Sequence, residues 1–196
     1  MKTSKLLPLY LLVITTAFLL SFYFSQRETP ETLQPDVLMS GRALPRFTLT
    51  NIYGERTALE SFRGKVVLIF FGYANCPDVC PQALRKYAEL EQLLGPKASE
   101  VVLIFITTDP SRDSPETLAH LVEKYSSSIV ALTGEWDELA EVWQKYHIRP
   151  LERDEQAAFI THSAVIYVGD RNLVLRKILT PEMPAEAMLE QILPLL

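Results

Sequence analysis

The sequence predicts an α/β domain carried behind an N-terminal transmembrane anchor, on three observations. Two uninterrupted apolar runs, Val66–Phe71 and Val101–Ile106, have the length and composition of strands buried on both faces. Each is followed by a segment whose apolar residues recur at helical spacing. Ahead of both lies the uncharged run Leu6–Phe24, about as long as a helix that crosses a bilayer. With 196 residues, 48% of them hydrophobic, the chain can bury one sizeable core besides that leader. A net charge of −5 supplies no basic footprint, which argues against nucleic acid as a partner.

Lys2 and Lys5 precede the apolar run and should stay in the cytoplasm, which puts the remaining chain outside it. A secretory signal peptide shares that basic start and apolar middle. Tyr23, however, stands where a cleavage site calls for a small residue, and aromatics at that level suit a membrane interface. Residues 1–25 therefore read as a single-pass anchor in preference to a cleaved signal, with residues 6–24 in the membrane. No Arg- and Ser-rich presequence is present, so the expected location is a bacterial inner membrane with the soluble domain in the periplasm. Residues 26–44 read as a flexible tether: they are polar in character, carry Pro30 and Pro35, and show no sustained apolar period.

Residues 45–196 form the folded domain. Phe47–Leu49 and the turn candidate Tyr53-Gly54-Glu55 suggest a hairpin, followed by Leu59–Phe62 and a turn at Gly64. After Val66–Phe71, Pro81 should open a helix in which Leu84, Tyr87, Leu90, Leu93 and Leu94 recur at helical spacing, and Gly95-Pro96 ends it. Val101–Ile106 is the second buried strand. Ser114 then offers an N-cap and Pro115 a first helical residue, with Leu118, Leu121 and Val122 turned to the core. Ile129–Leu132 reads as a short strand. Glu135–Tyr146 reads as a helix with Trp136, Leu139, Val142 and Trp143 on its buried stripe, and Arg149–Gln156 as a charged loop. Ala164–Val168 and Leu173–Ile178 flank the turn Gly169–Asn172 as a hairpin, and Pro181–Leu193 closes the chain as a helix. This order, strand–helix–strand and then helix, hairpin and helix, is that of a thioredoxin-like domain with a central mixed sheet flanked by helices. A loop at the carboxyl end of a central strand is where open α/β sheets place their sites.

That loop holds the only two cysteines, in Cys76-Pro77-Asp78-Val79-Cys80-Pro81. Free N–H groups and the positive end of a helix dipole favour a thiolate there. Three uses fit the pair. It can cycle between dithiol and disulfide, or hold a soft metal such as Cu(I) or zinc. A structural bridge is the third, but closing so short a loop removes little chain entropy. Redox pairs of the thioredoxin type have two intervening residues, whereas Cys76 and Cys80 have three, a wider loop that leaves room for an ion. A single-thiol peroxidase is a weaker reading, because the motif is paired. Among the histidines, His120 falls on the polar side of its helix, and His147 sits where a helix C-terminus favours it. His162 lies just before the apolar strand Ala164–Val168, where it can be a third ligand or an ordinary loop residue.

The run from Phe70 to Pro81, with Cys76-Pro77-Asp78-Val79-Cys80-Pro81 at its end, resembles the signature of the Sco/SenC family of copper chaperones for cytochrome c oxidase. The resemblance continues through Asp109–Leu118, Leu132-Thr133-Gly134 and His162-Ser163-Ala164, spanning roughly residues 45 to 180. It implies a thioredoxin-like fold on a membrane anchor, with copper bound by Cys76, Cys80 and His162. Two positions depart from the family pattern. Ala74-Asn75 stands in place of Thr-His, and Thr161 in place of an Asp that could orient His162. Asp78 matches the pattern without needing a ligand role. The expected function is a metallochaperone that delivers copper, as Cu(I) or Cu(II), to the copper-accepting subunit of a respiratory oxidase. A copper donor or thiol reductant would be a further partner, and a monomer is the default. The alternative is a thiol–disulfide reductase in which Cys76 and Cys80 are the catalytic redox pair.

Overall fold

The computed structural model describes residues 41–148 and 164–196, together with Thr15 and Thr16. The chain divides into two compact units, Met1–Val37 and Leu38–Leu196. In the first, Thr15 and Thr16 are helical. The expected anchor at 6–24 otherwise lies outside the described residues, as do the expected loop Arg149–Gln156 and His162. Among the described residues no helix is long and apolar enough to cross a membrane.

The second unit carries strands β1 (Thr48–Asn51), β2 (Arg56–Ala58), β3 (Val66–Gly72), β4 (Val101–Thr107), β5 (Val130–Thr133), β6 (Ile166–Gly169) and β7 (Leu175–Leu179). Its α-helices are α1 (Val79–Leu94), α2 (Pro115–Glu123), α3 (Trp136–Lys145) and α4 (Ala185–Ile192). The strands form one mixed sheet in the order β2-β1-β5-β4-β3-β6-β7. β3, β4 and β5 run parallel at its centre, while β1, β6 and the two edge strands are antiparallel to their neighbours. The central parallel strands need crossovers, which α1 and α2 supply. The continuous apolar runs follow from this placement, because β3 and β4 are covered on both faces.

Side-chain alternation divides the core. Val66, Leu68 and Phe70 pack with Leu84, Tyr87 and Leu90 of α1, Leu118 and Val122 of α2, and Met188 and Ile192 of α4. Val67, Ile69 and Phe71 point the other way, onto Leu49, Leu59, Tyr146 and the α3 residues Leu139, Val142 and Trp143. Residues 41–44 lie along the β7 edge, where the Gly41 and Leu44 N–H groups donate to the carbonyls of Leu175 and Leu173.

Two helix starts differ from expectation. α1 opens at Val79, with Pro81 as its third residue. A proline is tolerated throughout the first turn, since those N–H groups lack intrahelical partners anyway. α4 begins at Ala185 instead of Pro181, with Pro184 at its N-cap. Pro184 drives Met183 out of the helical region, so no helix can run through that point. The other boundaries move by one or two residues, and Ser114 caps α2 as expected, its hydroxyl accepting from the Thr117 N–H.

Candidate metal centre

β3 and β4 pair in register from Val66↔Val101 to Gly72↔Thr107, so the two strands end at the same level. The chain leaves β3 into the cysteine loop and leaves β4 into a polar loop, and the two loops lie side by side. The Thr108 N–H donates to the Gly72 carbonyl at 2.7 Å and extends the ladder by one step. Gly72 is required here by close approach: a Cβ would stand 2.6 Å from the Cys80 Sγ and 2.9 Å from a Phe105 ring carbon.

Cys76 is half-buried in the loop, Cys80 is buried in the first turn of α1, and both are free thiols. The Cys80 N–H donates to the Cys76 Sγ at 3.4 Å. The Cys76 thiol is lowered to about 5, first by the hydrogen bond from the Cys80 side chain. Backbone N–H groups of Cys80, Asp78 and Val79 lower it further, and together these donors outweigh burial. Cys80 is pushed up well above its ordinary range by its bond to Cys76, by burial and by the neighbouring negative charge. The pair is therefore one thiolate held by one buried thiol. Tyr73, at the start of the loop, has its phenol raised by burial and then by the charge on Cys76.

The polar loop after β4 holds the cysteine loop in place. Asp113, 1% exposed, accepts the Ala74 N–H with both carboxylate oxygens, at 3.2 and 3.0 Å. It also accepts the Thr107 hydroxyl at 2.6 Å, and its own carbonyl accepts the Thr133 hydroxyl at 3.3 Å. Burial raises this carboxyl to about 6, against the opposing pull of the Thr107 and Ala74 hydrogen bonds. A cavity of about 100 Å³ opens over the sulfurs, and Phe70, Tyr73, Thr108, Ile148 and Ala164 are among its walls with both cysteines.

Of the sequence-predicted site residues, the structure brings Cys76 and Cys80 together, and His162 lies outside the described residues. His120 is solvent-exposed, its Nδ1 3.9 Å from a Glu123 carboxylate oxygen. His147 follows the α3 C-cap with φ 55°, a left-handed residue at a helix end, and its N–H reaches the Gln144 carbonyl at 3.2 Å. Asp78 is exposed and accepts the Gln82 side-chain amide at 2.5 Å. Among the described residues no group of three or more His, Cys, Asp and Glu side chains is gathered for a metal ion, so the two sulfurs stand as a pair of soft donors. Gly72, Thr107 and Asp113 were not singled out by sequence reasoning. For Thr107 the signal available was a Thr-Thr-Asp sequence directly after the apolar run Val101–Ile106.

A mixed sheet flanked by helices, with a thiolate–thiol pair at the mouth of the helix after a central strand, defines a thioredoxin-like protein with a soft-donor site. The family model described as SCO1/SenC matches residues 38–196, and the chain belongs to that family. It is 31% identical over 172 residues to protein sco1 of Schizosaccharomyces pombe, covering 82% of this chain and 65% of that one. It is 32% identical over 130 residues to an SCO2-like protein of Rickettsia prowazekii, covering 64% of this chain and 63% of that one. The chain thus spans a little under two thirds of the length of either relative. Bradyrhizobium japonicum ScoI with copper bound superposes with a TM-score of 0.68 at 30% identity, covering 79% of this chain and 99% of that one. Yeast Sco1 with copper bound gives 0.68 at 29% identity, over 78% and 87% of the two chains.

Proposed function

We propose that this chain is a membrane-anchored copper metallochaperone that accepts copper on Cys76, Cys80 and His162. It passes the ion by ligand exchange to the binuclear copper site of a respiratory cytochrome oxidase. The observation that carries the reading is the Cys76–Cys80 pair, two free cysteines brought together by the Cys80 N–H donating to the Cys76 Sγ, in a family where ScoI of B. japonicum and yeast Sco1 are copper-bound structures. Copper is cargo here. Two soft sulfurs favour Cu(I), and an imidazole beside them also suits Cu(II). Cys76 is the thiolate already, so loading has only the Cys80 proton left to displace. For His162 the support is reach: Ala164, two residues on, lines the same cavity as both sulfurs, and each residue spans at most about 3.5 Å.

Residues 6–24 anchor the chain in the inner membrane of a bacterium, residues 26–40 tether it up to the point where 41–44 join the β7 edge, and the domain works as a monomer in the periplasm. Oxidation of the pair to a disulfide removes two of the three ligands, so copper loading depends on a thiol reductant. Copper titration of the reduced chain tests the reading: one copper per chain is expected, with retention lost in Cys76→Ala and markedly weakened in His162→Ala. Absence of copper binding by the reduced wild type overturns it.

A thiol–disulfide reductase is the second reading, and one observation favours it. A thiolate backed by a buried thiol is the arrangement of an attacking and a resolving cysteine. His162→Ala separates the two functions, because disulfide reduction survives that change while copper retention does not.

A further inference from the structure

Asp109–Glu116 carries part of the family resemblance, yet the copper reading gives it no task. It has two buried carboxylates: Asp109 is taken up by Ser111 and Arg112 of its own loop, and Asp113 lies at the junction of three elements. Asp113 follows from β4 through a loop in which its own N–H donates to the Asp109 carbonyl at 2.9 Å. Its carbonyl is held by Thr133 at the end of β5, and its carboxylate by Thr107 at the end of β4. What remains of the carboxylate's hydrogen-bonding capacity goes to one group outside these elements, the Ala74 N–H, two residues before Cys76.

A buried carboxylate with so few donors is a costly way to hold a backbone N–H, and solvent could satisfy a half-buried loop amide without it. The cost makes sense where the loop has to keep a definite shape. Apart from the Cys76 N–H to the Tyr73 carbonyl at 3.2 Å, the cysteine loop's internal bonds converge on the Cys76 sulfur, which gives them up when it takes an ion.

We propose that Asp113 is the positioning residue of the cysteine loop: anchored to the sheet by Thr107 and Thr133, it grips Ala74 and so sets the separation of Cys76 and Cys80. It makes no hydrogen bond to either sulfur, and its hydrogen bond to the cysteine loop is the one from Ala74. The proposal deepens the copper reading and rests on it for the identity of the cargo, but the geometry it concerns also governs closure of the Cys76–Cys80 disulfide.

The experiment uses the full chain and reads two quantities. One is the oxidation equilibrium of the pair in glutathione buffers. There the two protein thiols give up two electrons and two protons as the S–S bond forms, and glutathione disulfide becomes two glutathione thiols. The other is Cu(I) retention against a chromophoric chelator, with the thermal midpoint recorded alongside. Asp113→Ala is expected to lower copper retention by about tenfold, as loss of a ligand-orienting partner does. It is expected to lower the oxidation constant by about fivefold, because a loosened loop reduces the effective concentration of one thiol at the other. Asp113→Asn keeps one oxygen for the Ala74 N–H and should recover about half of each loss on a logarithmic scale.

A residue serving stability alone would shift the thermal midpoint and leave both constants within about twofold of wild type. That result in the folded variants overturns the proposal. If Asp113→Ala does not fold, Asp113→Asn decides: a shift of about twofold or more in the oxidation constant supports positioning, and none overturns it. Wild type that holds no copper sinks the metallochaperone reading, while the oxidation arm still tests Asp113.

Discussion

β3 and β4 are neighbours of equal length, seven residues each, and both are buried throughout. The loops that follow them could hardly differ more. The loop after β4 binds itself: the Asp109 N–H donates to the Thr107 hydroxyl at 2.9 Å, Ser111 and Arg112 both donate to the Asp109 carboxylate, and Ser114 caps α2. The loop after β3 has few such bonds, and its Ala74 N–H is handed to Asp113 of the neighbour. One loop is stiff by composition, and the other borrows stiffness across the sheet end. When the Cys76 sulfur takes an ion, the loop N–H groups it now accepts lose that acceptor, so the rigidity that remains has to come from elsewhere.

The largest effect expected from that contrast is in thiol chemistry. In the folded chain, Cys76 is a thiolate above a pH of about 5, whereas both cysteines of the unfolded chain titrate near 9.0. Its folded value is depressed, so the rate of alkylation by iodoacetamide should rise as pH climbs through about 5 and level off beyond. Cys80 should stay silent over the same range. At pH 6 the two rates should differ by about a hundredfold, read by mass spectrometry of the labelled peptides. Equal labelling of both cysteines would show that the loop does not activate Cys76.

The next effect breaks the cysteine side from within. Gly72→Ala puts a Cβ where the Cys80 sulfur and the Phe105 ring now sit, so the sulfur has to move. Overpacking of this kind should cost about 3 kcal/mol of stability in a urea titration, with copper retention falling as well. Wild-type stability and retention in Gly72→Ala would mean that α1 can shift to make room and that the pair does not depend on this approach.

How much of this contrast was legible in the sequence depends on what kind of bond carries it. β3 and β4 could be read directly, because a strand covered on both faces must be apolar at every position, as Val66–Phe71 and Val101–Ile106 are. Cys76 and Cys80 could be read because the site's chemistry is local in sequence. The start of α1 was misplaced by two residues, since proline rules describe preference and the first turn accepts Pro81 at more than one position. Asp113 was visible only as one letter of a motif. Its importance comes from Ala74, 39 residues earlier, and nothing local reveals which buried polar groups will meet across a sheet. Gly72 carries no local signal either; it is a strand residue whose need arises when Cys80 folds back over it.

A smaller effect is expected where the stiff loop is attacked at its root. Thr107→Val removes a hydroxyl that donates to Asp113 at 2.6 Å and accepts from the Asp109 N–H at 2.9 Å. Two buried groups are left without that partner, and the stability loss should be about 2 kcal/mol. If stiffness passes from this loop to the cysteine loop, amide exchange should quicken at Ala74 as well as at Asp109. Faster exchange confined to Asp109 would show that the two loops are independent.

The smallest effect separates stiffness that reaches the site from stiffness that does not. Ser114 belongs to the same self-bonded loop, but its hydroxyl faces forward, accepting the Thr117 N–H at 3.1 Å and capping α2. Ser114→Ala should cost about 1 kcal/mol, the usual worth of an N-cap, in the same urea titration. The alkylation profile of Cys76 should not change, because no bond runs from this side chain to Asp113 or Ala74. If Ser114→Ala instead slowed Cys76 alkylation, general loosening of the β4–α2 connection would be enough to disturb the thiols. The grip on Ala74 would then have no special standing. Read beside the Asp113 variants, this exposed cap is the control that tells a specific strut from a generally rigid neighbour.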